Sequence, residues 1–301
     1  MSQPTYRGRF APSPTGDLHS GTLLAAVGSY LQARSQHGEW LLRIEDVDTT
    51  RRIPGAADTL LRALEHFAFE WQGEVVHQSS RTDLYESALE ILSKKDLIYP
   101  CTCSRKQLAD EDTLNVYTGH CRHRRLPLFE EHALRLRVED RIIGFDDQVI
   151  GQYQQQLADE CGDFVIKRKD GLFAYQLAVV VDDAEQGISE VVRGADLLDS
   201  TPRQIYLQQM LGYAQPDYLH LPLLIDEHGQ KLGKSTGAAA LDLSQPVSHL
   251  HSMLELLGQN PPAELARDNL SQLWQWAIEH WDIDRIPSQN LSIRQKQPNH
   301  E

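Results

Sequence analysis

Long apolar runs are missing from this chain. No segment of its 301 residues approaches the ~20 apolar residues needed to cross a membrane as a helix. The N-terminus also lacks the apolar stretch of a secretory leader. A soluble, cytoplasmic protein with no membrane partner is therefore expected. Cysteine is scarce, with four in the chain. That excludes the disulfide framework of a small secreted domain. Positive charge is in deficit, with 29 Lys and Arg against 43 Asp and Glu and a net charge of -14. A non-specific nucleic-acid coat is excluded, because such binding rests on phosphate neutralisation. Two local basic runs survive that exclusion: Arg122, His123, Arg124 and Arg125, and Lys167, Arg168 and Lys169. Each reads either as solvated surface or as an RNA contact.

The length suffices for one large domain or two modest ones. Residues 6–11 read as a strand, 20–36 as a helix with Leu23, Leu24, Val27, Tyr30 and Leu31 on one face, and 40–44 as a second strand. Strand, helix, strand is the opening unit of a doubly wound parallel sheet. The second strand ends in Glu45, Asp46 and Asp48, where such sheets bind ligands. Two amphipathic helices follow, one with Leu60, Leu61, Leu64 and Phe67, the other with Leu84, Ala88, Ile91 and Leu92. The pattern changes near residue 100. The expected organisation is a first half of the catalytic domain over 1–99, an insertion over 100–163, a second half over 164–241 and a helical C-terminal region over 242–301. Within it, 133–138, 164–167, 172–181 and 219–225 read as strands and 202–211 as a helix.

Two short motifs carry the chemistry. His19-Ser20-Gly21-Thr22 stands at a helix start, behind the turn residues Pro12, Ser13, Pro14, Thr15 and Gly16. Helix N-termini offer free N–H groups to phosphate, and Gly16 and Gly21 permit close backbone approach. Lys231-Leu232-Gly233-Lys234-Ser235 is a basic loop far downstream. An imidazole, backbone amides and two ammonium groups are what cleavage of ATP at its α-phosphate requires. A capping histidine and a surface lysine loop are the plain alternatives. Cys101-x-Cys103 with Cys121 has metal-like spacing; three sulfurs leave one position of a tetrahedral zinc site open. By spacing, His120, His123 or Cys161 would fill it. Three buried thiols are the alternative.

The two motifs, in this order, resemble the signature pair of class I aminoacyl-tRNA synthetases. Their flanks resemble the glutamyl and glutaminyl branch: Arg9-Phe10-Ala11-Pro12-Ser13-Pro14-Thr15-Gly16, Leu42-Arg43-Ile44-Glu45-Asp46, Val179-Val180-Val181-Asp182-Asp183, Val192-Arg193-Gly194-Ala195-Asp196 and Thr201-Pro202-Arg203-Gln204. The likeness covers about 5–240. Three positions depart from it: Leu232 and Gly233 replace Met and Ser, Thr22 replaces His, and Leu197 follows Asp196 where many glutamyl enzymes have His.

The resemblance implies a Rossmann-like doubly wound α/β catalytic domain with a zinc-binding insertion and a short helical C-terminal region. About 60 residues follow the lysine loop, so no anticodon-binding domain is expected. That, with the cysteine pair, resembles the glutamyl-queuosine tRNA(Asp) synthetases. The activity so implied is ATP-dependent, tRNA-independent activation of L-glutamate, then transfer to the cyclopentenediol of queuosine in the anticodon loop of tRNA(Asp). A shortened glutamyl-tRNA synthetase charging a tRNA 3′ end and a non-catalytic paralogue that binds tRNA or protein are the other readings. The implied roles are His19, Lys231 and Lys234 in catalysis, with His19, Gly21 and Lys234 on ATP and its Mg²⁺. Arg9, Phe10, Ala11, Pro12, Ser13, Glu45, Tyr175 and Arg193 would hold glutamate. Arginine suits its carboxylates and an acidic residue its ammonium. Cys101, Cys103, Tyr117 and Cys121 would hold one structural Zn²⁺, Tyr117 entering from the resemblance alone. A monomer is expected.

Overall fold

A computed structural model describes residues 6–109, 116–128, 131–232 and 241–292. The chain opens with β1 (Arg7–Phe10), α1 (Ser20–Ser35) and β2 (Glu39–Ile44), and β1 and β2 pair in parallel. α2 (Ala56–His66) leads to β3 (Val76–His77), which joins β2 in parallel, and α3 (Thr82–Lys94) follows. Next come β4 (Ile98–Cys101), α4 (Arg105–Ala109), β5 (Ala133–Leu136), β6 (Ile142–Asp147), β7 (Gly151–Gln156), α5 (Leu157–Glu160) and β8 (Val165–Lys167). Then follow α6 (Tyr175–Glu185), β9 (Glu190–Gly194), α7 (Thr201–Leu211), β10 (Asp217–Leu221) and β11 (Leu224–Ile225). α8 (Pro246–Leu256), α9 (Leu270–Glu279) and β12 (Leu291–Ser292) complete the described elements.

Strands β9, β10 and β6 pair in parallel, and β7 closes that edge antiparallel to β6. β9 lies beside β1, where Ser189 donates its N–H to the Arg7 carbonyl at 2.9 Å. The strand order is thus β3-β2-β1-β9-β10-β6-β7. The chain winds one way from β1 and the other way from β9. That reversal is a topological switch point, the place where open α/β sheets bind ligands at the carboxyl ends of their strands. A smaller antiparallel sheet, β4-β5-β8, carries the cysteine segment.

Helix α1 is buried on almost every side, not only along the expected face; Ala26, Gly28, Ser29, Gln32 and Ala33 are covered too. It lies between the sheet and the C-terminal helices. Gly28 permits this: a Cβ there would sit 2.6 Å from Leu221 Cδ1. Tyr30 packs edge-on against Trp40, Phe69 and Trp274, with ring centroids 5.1, 5.2 and 4.8 Å away. Trp274 of α9 also donates its indole N–H to the Phe67 carbonyl at 2.8 Å. The helices after residue 245 therefore share a core with the N-terminal half.

Two sequence expectations need correction. Residues 172–181 do not form a strand; from Tyr175 they belong to α6. Leu177, Ala178, Val179, Val180 and Val181 are all buried. A helix covered all round shows the same continuous apolar run as a buried strand, and burial outweighs the strand preference of valine. The strand expected over 219–225 is divided into β10 and β11 by Pro222-Leu223, since proline donates no ladder hydrogen bond.

Candidate active site

The site is built on the carboxyl ends of β1, β2 and β9. Past β1, the turn carrying Ala11, Pro12 and Ser13 is pinned to the end of β2: Glu45 donates its N–H to the Pro12 carbonyl at 2.9 Å. Gly16 stands at φ +139°, a backbone region that L side chains rarely enter. His19 then caps α1, its Nδ1 accepting the Thr22 N–H at 3.4 Å. Its Nε2 lies 2.9 Å from Thr22 Oγ1. The departure at Thr22 thus places a hydroxyl against the histidine it follows.

The first motif meets the described start of the second, Lys231 and Leu232. A Cβ on Gly21 would lie 3.3 Å from the Leu232 carbonyl oxygen. On the far side of the lysine loop, Leu241 donates its N–H to the Leu18 carbonyl at 3.2 Å. Lys231 pairs through Nζ with Asp196 Oδ2 at 2.5 Å. Lys234, with the rest of 233–240, lies outside the described residues.

The residues expected to hold glutamate gather at the switch point. Arg9 is buried, and its guanidinium engages Asp183 through Nε at 3.1 Å and Nη2 at 3.3 Å. Its Nη1 reaches the Val192 carbonyl of β9 at 3.4 Å. Arg43, fully buried, donates to the same Asp183 at 2.7 Å and to Gln186 at 2.6 Å. Asp182 next door accepts from Arg81, Gln78 and Tyr85 at 2.6, 2.8 and 2.8 Å. The charges beneath the site therefore form one buried ion network, in which Arg9, Arg43 and Arg81 face Asp182 and Asp183 and Glu45 meets the remaining positive charge from 3.7 Å.

Two groups above that network are matched less closely, one held only at a distance and the other without a carboxylate. Glu45 has a side chain 10% exposed, and its nearest cation is Arg43 at 3.7 Å. Burial pushes its carboxyl up to about 7; Arg43 and Arg9 pull against that, while Asp183 and Asp182 add to it. Arg193 is the second. Its donors meet His220 Nε2 at 3.2 Å, Tyr175 Oη at 3.4 Å, Gln204 Oε1 at 2.8 Å, Thr201 Oγ1 at 2.7 Å and the Leu197 carbonyl at 3.5 Å. All are neutral acceptors, and no carboxylate among the described residues lies within ion-pair distance. Tyr175 starts α6 between the two groups, feeling the charges of both Glu45 and Arg193. Phe10 is placed differently: its ring stacks on Trp40 at 6.0 Å, inside the core, so the backbone is what it offers the site. Asp46 and Asp48 are engaged elsewhere, by Ser79 and by Arg168 and Thr50.

Sequence reasoning quoted Arg43, Asp182 and Asp183 without giving them a role, and missed Asp147 and His220. Their signal is a charged or polar residue inside an otherwise apolar strand or helix, which implies a buried partner.

In the cysteine segment, the sulfurs of Cys101, Cys103 and Cys121 lie within 4.8 Å of one another. No His, Asp, Glu or other Cys among the described residues joins them. Tyr117 Oη does, 3.4 Å from Cys101 Sγ and 3.7 Å from Cys103 Sγ. Spacing pointed to His120, His123 or Cys161; the phenol stands there instead. The Arg135 guanidinium covers the Tyr117 ring at 3.7 Å and donates to Cys101 Sγ at 3.3 Å. Three soft sulfurs, an oxygen and a balancing cation fit a tetrahedral divalent metal such as zinc. The basic runs are less open than the sequence suggested. Arg122 is paired with Asp163 at 2.7 Å, Lys167 with Glu86 at 2.5 Å and Arg168 with Asp48 at 3.0 Å. No described helix is long and apolar enough to cross a membrane.

Comparison with known proteins agrees with this geometry. The family of tRNA synthetases class I (E and Q), catalytic domain, matches residues 5–249. A glutamyl-Q tRNA(Asp) synthetase of Dechloromonas aromatica is 52% identical over 97% of this chain and 99% of its own. One of Pseudomonas aeruginosa is 52% identical over 94% and 96%. Among solved structures, a glutamate tRNA ligase of Elizabethkingia meningosepticum in complex with its amino acid has a TM-score of 0.81 at 26% identity, covering 96% of this chain and 67% of that one. The chain belongs to the class I tRNA synthetases of the glutamyl and glutaminyl type and, among them, to the glutamyl-Q tRNA(Asp) synthetase family.

Proposed function

We propose that this protein activates L-glutamate with ATP and transfers it to the cyclopentenediol of queuosine in the anticodon loop of tRNA(Asp). The observation that carries the amino acid is Arg193, a buried cation meeting only neutral acceptors among the described residues, beside Glu45, a buried carboxylate whose nearest cation stands 3.7 Å away. Free glutamate brings one ammonium and two carboxylates, so it offers Arg193 a carboxylate and Glu45 an ammonium in closer reach than Arg43. Arg9, half-committed to Asp183, serves the second carboxylate, with Tyr175, Ala11, Ser13 and the backbone of Phe10 and Pro12 lining the site. The acceptor rests on the relatives that carry the glutamyl-Q tRNA(Asp) synthetase name.

The reaction takes two steps. A glutamate α-carboxylate oxygen attacks the ATP α-phosphorus, and the α–β anhydride bond breaks, its electron pair leaving with pyrophosphate. His19, the N–H groups at the start of α1, Lys231 and Lys234 bear the developing charge, with Gly21 admitting the nucleotide. ATP enters with its Mg²⁺. A nucleoside hydroxyl then attacks the glutamyl carbonyl, losing its proton as AMP departs. Zinc, held by Cys101, Cys103, Cys121 and Tyr117, would serve structure, since all its positions are closed by protein.

The test uses radiolabelled glutamate, ATP and tRNA from cells with or without queuosine. Label is expected only in queuosine-containing tRNA and survives removal of the 3′-terminal adenosine. Label in queuosine-free tRNA, or dependence on the 3′ end, would instead assign a glutamyl-tRNA ligase. Absence of glutamate-dependent ATP–pyrophosphate exchange would mark a non-catalytic paralogue.

A further inference from the structure

Behind Arg193 lies a second buried pair that the reaction above does not use. Asp147 closes β6, His220 sits in β10 and Arg193 in β9, so the three occupy adjacent parallel strands. His220 and Arg193 are direct cross-strand neighbours. The His220 Nδ1 lies 2.6 Å from Asp147 Oδ2, with both side chains fully buried. Its other nitrogen, Nε2, lies 3.2 Å from Arg193 Nε. A guanidinium only donates hydrogen bonds. Nε2 also lies 3.1 Å from the Thr201 hydroxyl, which can donate to it; the neutral ring that suits the guanidinium on one side and the carboxylate on the other has its lone pair on Nε2 and its proton on Nδ1. Burial and the neighbouring Arg193 hold the imidazole below its ordinary value, against the pull of Asp147, which keeps the ring neutral.

We propose that Asp147 and His220 are positioning residues that hold Arg193 for the glutamate carboxylate. This rests on the substrate reading above. Asp147 is itself fixed: its Oδ1 accepts the N–H groups of Val149 and Ile150 at 3.0 and 2.9 Å, and the His220 N–H reaches Oδ2 at 3.0 Å. The imidazole passes that fixed orientation to Arg193 Nε. It also sets the only carboxylate of the relay one ring away from the guanidinium. Arg193 is thereby oriented without being neutralised, unlike Arg9, which Asp183 grips directly. A carboxylate in direct contact would compete with the substrate for the same N–H groups.

Three variants test this by ATP–pyrophosphate exchange and by NMR of the imidazole nitrogens. Asp147→Asn turns an amide N–H toward Nδ1 and so drives the proton to Nε2, where it faces the Arg193 donor. His220→Leu removes the acceptor. His220→Gln keeps a donor toward Asp147 and an acceptor toward Arg193. The first two are expected to raise the KM for glutamate about tenfold or more while leaving the KM for ATP within about twofold; the third is expected to recover most of that loss. The wild-type imidazole is expected in the Nδ1–H form. An Nε2–H tautomer in the wild type would overturn the proposal. So would an equal rise in both KM values, or a glutamate KM in His220→Leu within about twofold of wild type. Wild-type exchange that ignores glutamate would overturn the substrate reading instead, and the tautomer spectrum would still decide how the pair is arranged.

Discussion

Glu45 is a buried carboxylate whose nearest cation stands 3.7 Å away, and its titration follows from that burial. Its pKa of about 7 exceeds the ordinary carboxylate value because burial penalises the charge more than Arg43 and Arg9 relieve it. Folding therefore favours the protonated form. The associated stability is present below the unfolded value of about 4.5 and is lost as pH rises through about 7. Substrate binding has the opposite sign, since the ammonium needs the charged form. The KM for glutamate is expected to rise by up to about tenfold per pH unit below 7. In Glu45→Gln it should be raised throughout and lose that pH dependence. A pH series of exchange kinetics for both proteins checks it; a wild-type KM flat from pH 5.5 to 8 would remove Glu45 from the site. At this scale much was legible in the sequence. Arg9, Glu45, Tyr175 and Arg193 were all named, and they converge. What sequence could not tell is which cation is already spent. That Asp183 grips Arg9 while Arg193 meets only neutral acceptors depends on contacts 174 positions apart for the first pair.

Among elements, the segment from β4 to β5 illustrates both reach and limit. The cysteine spacing is legible because ligands of one metal cluster in sequence. The fourth partner was open by spacing, because His120, His123 and Tyr117 fall in one short stretch, and only chain direction decides which side chain turns inward. Metal analysis of the purified protein is expected to find about one zinc per chain, falling well below one in Cys121→Ser. Equal zinc in both would place the ion elsewhere. Helix α6 shows the converse: its valine run carries no period, so strand and buried helix were indistinguishable until the neighbouring α3 and α7 were in view.

For the whole molecule, the ion network under the switch point is the stability risk. Asp183 serves both Arg9 and Arg43. Asp183→Asn leaves two buried guanidiniums without their shared carboxylate. It is expected to lower the unfolding free energy by about 3–5 kcal/mol, read from denaturant midpoints. A loss under about 1 kcal/mol would mean that water reaches these groups. The doubly wound arrangement was legible from the opening strand, helix and strand. The position of β9 beside β1 was not, because β2 to β8 lie between them in the chain and nothing local marks which edge the chain returns to.

That shared carboxylate also sets an order of assembly. During synthesis Arg43 is made 140 positions ahead of Asp183, and Arg9 174 ahead. At roughly 5–20 residues per second, the nascent chain holds two cations without their counterion for on the order of ten seconds. The buried ion network can close only once α6 has been made, and the glutamate site only once β9 has brought Arg193.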